Sequence, residues 1–226
     1  MKKIFFLIIA SLTCETEDFK SWEADFIFSH HEFGNFDMKR NLTVVSENDI
    51  SSTFVIRPLL IFKYSQNSSL IIDDGKIKSQ ATEVTNNVPG VSPKYFKVIF
   101  ESNLVSSKEL NLEVKIEKDV LDQLGSDLQM RLNIKNGIDN FSLLVLDNDK
   151  GNIVKREYMV LGDEIVETNF GNFNCIKVAA TSKDGGKIIY FISPELDFMI
   201  IKSFVELKSG ETNSLILKNM PRFSAE

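Results

Sequence analysis

The sequence predicts a mostly β fold: one antiparallel, curved sheet or an open or closed barrel of about a dozen strands, with one short helix over about 127–136. Three observations predict it. Apolar residues recur at every second position in stretch after stretch, glycine- and asparagine-rich turns separate these stretches, and only one segment carries helical spacing.

The chain opens with Lys2 and Lys3, an unbroken apolar run from Ile4 to Ala10, and the charged "CETEDFK". That is the layout of a secretory signal peptide, taken here as residues 1–14. A membrane-spanning helix needs about 20 apolar residues, and neither this run nor any later segment approaches that length. Ser11 and Thr13 supply small residues where a signal peptidase reads, which leaves Cys14 at the new N-terminus. The expected outcome is release into the periplasm or association with the cell envelope. Lipid anchoring on Cys14 is the alternative, although "SLT" sets its leucine one place too close to the cysteine for a bacterial lipobox. The folded part is then a single β-rich domain over 20–222, with no transmembrane span.

Within that domain "WEADFIF" sets Trp22, Ala24, Phe26 and Phe28 on one face. "FDMKRNLTV" does the same with Phe36, Met38, Leu42 and Val44, and Arg40 interrupts its apolar row. "ELNLEVKIEK" alternates most cleanly, with Leu110, Leu112, Val114 and Ile116 against Asn111, Glu113, Lys115 and Glu117, as a sheet with one wet face requires. Further strands are expected at "TFVIR", "SSLIID", "KIKSQATEV", "YFKVIFE" and "FSLLVLD", and then at "IVKREYMVL", "FNCIKVAAT", "KIIYFIS", "FMIIKSFVEL" and "TNSLILKNM". The turns "DDGK", "DNDKGN", "KDGGK" and "KSGE" favour hairpins between them, and "TNNVPGVSPKY" reads as a loop. The exception to the rhythm is "DVLDQLGSDLQMRLNIKNG", where Leu124, Leu128 and Leu132 recur every fourth residue. Gly125 weakens a continuous helix from Asp119, so a turn followed by a helix from about Asp127 is expected, with Ser126 as N-cap and Gly137 as terminator.

Composition narrows function by exclusion. A net charge of −6, a pI of about 5.1 and scattered basic residues exclude a nucleic-acid partner. The 18 phenylalanines, against one tryptophan and four tyrosines, suffice to fill a core and also to line an apolar cavity. Cys175, in the alternating "NFNCIKV", reads as an inert thiol on a buried strand. His30 and His31 are neighbours, and neighbours on a strand point to opposite faces, so the pair reads as a polar turn and no metal site is expected. Asp147 and Asp149 have calcium-like spacing without the downstream glutamate of an EF-hand loop, which leaves an acidic hairpin turn. With no nucleophile elbow, phosphate-cradling glycine loop or Cys–His arrangement, no catalytic residues and no cofactor are assigned, and the chain is not expected to be an enzyme.

The segments "WEADFIF", "KYSQNSSLIIDDGKI", "DVLDQLGSDLQMRL", "ETNFGNFNCIKV", "IIYFISPELDFMIIKSFVEL" and "SLILKNM" together resemble the exported bacterial family catalogued as domain of unknown function 3108. The resemblance runs from Trp22 to Met220, with Gly171, Tyr190, Phe191 and Pro194 at comparable places. Where such proteins read proline–x–tyrosine, this chain has the longer "VPGVSPKYF". The resemblance implies an envelope location and a β-rich fold akin to the open barrel of lipoprotein carriers. It implies no established activity, and no functional residues are carried over.

Export, excess phenylalanine and a curled sheet together point to a non-enzymatic binding protein whose apolar cavity or groove holds a lipid, an acyl chain or a lipoprotein-like ligand. Trp22, Phe26, Phe28, Phe54 and Ile56 are the expected lining. The alternative is an envelope assembly or scaffold protein that works through protein contacts alone.

Overall fold

The period-two pattern is realised as one 16-stranded sheet that does not close on itself. The computed structural model describes residues 19–58, 62–88, 94–148, 151–183, 186–207 and 209–224, so the leader expected at 1–14, Cys14 and Asp149 lie outside the described residues. The first meander comprises β1 (Trp22–His30), β2 (Gly34–Val44), β3 (Asp49–Ile56), β4 (Tyr64–Asp73), β5 (Lys76–Asn86), β6 (Lys94–Glu101), β7 (Leu104–Ser107) and β8 (Leu112–Lys115), each antiparallel to the next. A short β9 (Val120–Leu121) leads into the helix α1 (Gln123–Lys135). The second meander comprises β10 (Asn140–Asp147), β11 (Asn152–Thr168), β12 (Gly171–Ser182), β13 (Lys187–Ser193), β14 (Met199–Glu206) and β15 (Thr212–Leu217). β15 pairs with β1, joining the two meanders; β16 (Arg222–Phe223) caps the start of β1, and β9 lies parallel to β10 at the far edge.

Curvature has local causes. Register shifts between Ser69 and Leu70, between Val160 and Gly162, and between Phe191 and Ile192 place bulges in three strand pairs, and bulges bend and twist the strands that carry them. The bent sheet wraps α1, which touches β3, β4, β5, β9 and β10. Ten of the 13 helix residues are buried, so α1 is a central strut and not a surface helix. Leu124, Leu128 and Leu132 join the largest core cluster with Trp22, Phe26, Leu42, Phe54 and Leu70. Met130 and Ile134, on another side of the helix, pack with Tyr158, Val178, Tyr190 and Ile192 of the second meander. Val84, Phe96, Val98, Val105 and Leu146 form a third cluster toward the β8 edge.

Two elements differ from expectation in extent. The helix begins one turn before Asp127, because Asp122 and not Ser126 caps it: its carboxylate accepts from the Leu124 N–H at 2.8 Å and the Gly125 N–H at 3.0 Å. Ser126 lies inside the helix and donates to the Gln123 carbonyl. Gly125 is tolerated there because the helix runs close to the sheet; a Cβ would stand 2.8 Å from Ser79 Oγ and 3.1 Å from Leu70 Cδ2. The terminator is as expected, with Gly137 at φ +72°. The cleanly alternating "ELNLEVKIEK" yields only four strand residues, in β8 at the sheet edge. Its first part is a turn, closed by the Asn111 N–H donating to the Lys108 carbonyl, with Asn111 at φ +48°. No helix among the described residues is long and apolar enough to cross a membrane.

Candidate functional site

A cavity of about 420 Å³ opens between the N-terminal half of α1 and the two meanders, within the range of small-molecule sites. Phe28 and Met38, with Phe54 and Ile56 of β3, supply one apolar wall; Ile188, Val205 and Leu215 supply the opposite one. Gln123, Asp127, Arg40 and Arg156 belong to its polar part, together with Gln66, Asp147 and Asn148. The alternation of β1 to β3 dictates this: residues of even number face inward, and the row that reaches the cavity is the row that builds the core elsewhere.

The same parity explains Arg40. It stands between the inward-facing Met38 and Leu42, so the arginine that interrupts the apolar row points at the helix. There its Nη2 meets Asp127 Oδ2 at 3.1 Å, with both side chains about 10% exposed, and its guanidinium lies 5.9 Å from the centre of the Phe26 ring. Its Nε has no partner.

Arg156 follows the same rule on β11, where Val154, Arg156 and Tyr158 share the inward row. Both terminal nitrogens donate to Gln123 Oε1 at 3.3 Å, and no carboxylate among the described residues lies within ion-pair distance. Burial disfavours its charge, but Tyr190, Tyr158 and Asp127 outweigh burial and raise its pKa, so the group remains a cation. Nearby, Asn148 donates to Gln66 Oε1 at 2.9 Å and leaves its own buried Oδ1 without a donor. The cavity therefore combines apolar walls with a half-buried cation that has no carboxylate partner among the described residues, a combination that suits an amphipathic guest.

Two further polar networks hold the helix in place. Asp122 Oδ1 also accepts from Ser68 Oγ at 2.9 Å and from Gln66 Nε2 at 3.2 Å, and Oδ2 accepts from Ser79 Oγ at 2.8 Å. Burial, the largest influence, raises the Asp122 pKa, while these donors and the two helix N–H groups pull it down. At mid-helix Arg131 donates to the carbonyls of Phe198 and Asp197, each at 2.8 Å, and its guanidinium lies over the rings of Phe19 and Trp22. Burial lowers its pKa to about 10.

Of the five residues expected as lining, Phe28, Phe54 and Ile56 reach the cavity. Trp22 borders a separate void of about 10 Å³ beside Arg131 and Leu128, and Phe26 is fully buried beneath Arg40. The residues that the sequence reading missed are the charged ones, Arg40, Asp127 and Arg156. A signal existed for two of them, since each arginine falls in the inward parity of its strand. Cys175 is buried; burial pushes its thiol up to about 12, and Sγ donates to the Phe173 carbonyl.

The histidine pair departs from the opposite-face geometry expected of it. β1 ends at His30 and the turn begins at His31, so the two rings stack with centroids 4.5 Å apart and planes 23° apart.

No protein-family model matches the chain, and no curated protein matches it, so the resemblance to domain of unknown function 3108 is not shown by either comparison. Among solved structures, a β-barrel-like protein of domain of unknown function 1849 from Brucella abortus aligns with a TM-score of 0.63 at 11% identity, covering 92% of this chain and 99% of that one. A MucA/MucB complex from Pseudomonas aeruginosa gives a TM-score of 0.40 at 7% identity, over 92% of this chain and 53% of that one. A structure of MucB gives 0.39 at 8%, over 93% and 56%. The latter two likenesses are too distant to support an argument about function. The first shows the fold: this chain is β-barrel-like, similar to a protein whose own domain has no assigned function.

Proposed function

We propose that this chain is an exported, non-enzymatic binding protein of the cell envelope that holds an amphipathic ligand with an acyl-like tail and an anionic head. The observation that supports it is Arg156, a half-buried cation in the wall of an apolar cavity, whose terminal nitrogens donate to the neutral Gln123 Oε1 and meet no carboxylate within ion-pair distance among the described residues. A carboxylate or phosphate head would complete its fork bidentately in place of Gln123 Oε1. The tail would lie between Phe28, Phe54 and Ile56 on one side and Val205 and Leu215 on the other.

Titration with a fluorescent long-chain fatty acid tests this reading. Saturable binding is expected, with displacement by unlabelled fatty acid and a loss of tenfold or more in Arg156→Gln. An uncharged alcohol of the same length should compete poorly with wild type and about equally well with the variant. Absence of saturable binding, or binding indifferent to Arg156→Gln, would contradict it.

One observation favours a second reading, in which the protein acts through protein contacts. On β11, Met159, Leu161 and Ile165 are 50%, 44% and 63% exposed. Large apolar side chains held in solvent along one strand suit a protein partner. Crosslinkers placed at these three positions in intact cells should then trap one recurrent species; a diffuse background would argue against it.

A further inference from the structure

The turn between β1 and β2 and the turn between β14 and β15 meet at one end of the β1–β15 seam, where Ser29 pairs with Ser214. The contact is made by His31. Its backbone N–H donates to Asn213 Oδ1 at 3.0 Å, which fixes that atom of the amide as the oxygen. The ring Nδ1 lies 2.9 Å from the same oxygen. An amide oxygen only accepts, so Nδ1 carries the proton, and in the neutral ring Nε2 presents a lone pair.

That lone pair faces negative charge. Nε2 stands 3.2 Å from Glu211 Oε2 and 3.9 Å from Glu32 Oε1. Each of His30, His31 and Glu32 offers a ligand atom, and these atoms lie within 4.8 Å of one another; Glu211 joins them through its contact with His31, and His30 Nδ1, which accepts from the Glu32 N–H at 3.2 Å, gives up that bond on entering a four-ligand shell. A lone pair held against two carboxylates repels them unless a positive centre stands between. Zinc–nitrogen and zinc–oxygen bonds of about 2.0–2.2 Å put neighbouring ligand atoms roughly 3.2–3.5 Å apart in a tetrahedral site, and the His31–Glu211 span already meets that separation.

We propose that His30, His31, Glu32 and Glu211 form a site for a divalent transition-metal ion of the zinc class, bridging the first hairpin of the sheet to the last. Two imidazoles with two carboxylates suit zinc, nickel or copper(II) better than magnesium or calcium, which prefer all-oxygen shells. Asn213 is the outer partner that fixes the His31 tautomer, as carbonyl oxygens do for metal-binding histidines generally. The side chain of His31 is 16% exposed, so an ion can enter from solvent while the ring stays oriented. The bound ion would clamp a seam in which β1 and β15 share only the four pairs from Phe26–Leu217 to Ser29–Ser214. The site is remote in kind from the acyl-binding reading and does not depend on it.

The competing occupant is a proton on Nε2, which would make the contact a plain histidinium–carboxylate pair. Isothermal titration calorimetry with zinc chloride, on metal-stripped protein carrying no polyhistidine tag, separates the two. The expected result is one zinc ion per chain, confirmed by native mass spectrometry, with a zinc-dependent rise in the thermal midpoint. His31→Gln and Glu211→Gln should each weaken binding tenfold or more, and Asn213→Ala by about 10- to 100-fold through loss of orientation. Glu211 is 53% exposed, so its variant folds regardless and decides the matter if His31→Gln does not. Failure of the wild type to take up zinc, or uptake unchanged in both Glu211→Gln and His31→Gln, overturns the proposal.

Discussion

Replacing Asp122 with alanine should be among the most damaging single changes outside the apolar core. The carboxylate caps α1 and accepts from five donors, the N–H groups of Leu124 and Gly125 and the side chains of Ser68, Gln66 and Ser79. Loss of a cap costs about 0.5–2 kcal/mol. Ser79 Oγ is then left buried without an acceptor for its proton, at about 1–3 kcal/mol. The expected loss is roughly 3 kcal/mol, which for a domain of this size lowers the thermal midpoint by about 6–12 °C. Urea and thermal unfolding followed by circular dichroism measure it. A loss below about 1 kcal/mol would refute the assignment of Asp122 as the anchor of the helix. The asparagine variant adds a test of sign. Burial raises the Asp122 pKa in the folded chain, so the proton is held more tightly there than in the unfolded chain. The stability this contributes is fully present below about pH 4 and is lost as the pH rises through the folded value. The advantage of wild type over Asp122→Asn should therefore shrink as the pH rises above about 4. An advantage that grows over that window would mean that the five donors outweigh burial.

Other expectations concern the same strut and its surroundings. Gly125→Ala should destabilise by about 1–3 kcal/mol despite alanine's better helix propensity, because its Cβ would press on Ser79 Oγ and Leu70; Gly137→Ala, which meets no atom but must hold φ +72°, should cost about 1 kcal/mol, and urea midpoints compare the two. Leu128→Ala, in the centre of the largest cluster, should cost about 2–5 kcal/mol in the same assay. In a chain whose Cys14 is replaced by serine, Cys175 should ignore a thiol reagent at pH 8 and react stoichiometrically in denaturing urea, because it is buried with its thiol held up to about 12; rapid native reaction would contradict that burial.

Much of the fold was legible because alternation is a strong signal. The strands from "WEADFIF" to "TNSLILKNM" and the helix around Leu128 all formed, and Gly137 ends the helix as its position implied. What was illegible depends on contacts distant in sequence. The earlier helix start follows from Ser68 and Ser79 converging on Asp122, which no local pattern reveals. "ELNLEVKIEK" alternates well yet lies at an edge, where pairing on one side only supports a short strand. The apolar part of the cavity was partly legible, through Phe28, Phe54 and Ile56, because inward parity marks them. Trp22 and Phe26 share that parity but lie where the helix fills the space, so hollow and filled stretches of one row look alike in sequence. The histidine pair misled because a strand end, not a strand, carries it.

Native mass spectrometry of the protein purified from its native host, in detergent-free buffer, bears most directly on whether the cavity is a binding site. A retained amphiphile with an anionic head, present in wild type and absent from Arg156→Gln of equal stability, is the expected result. Bare polypeptide mass in repeated wild-type preparations, together with failure to take up added fatty acid, would contradict it.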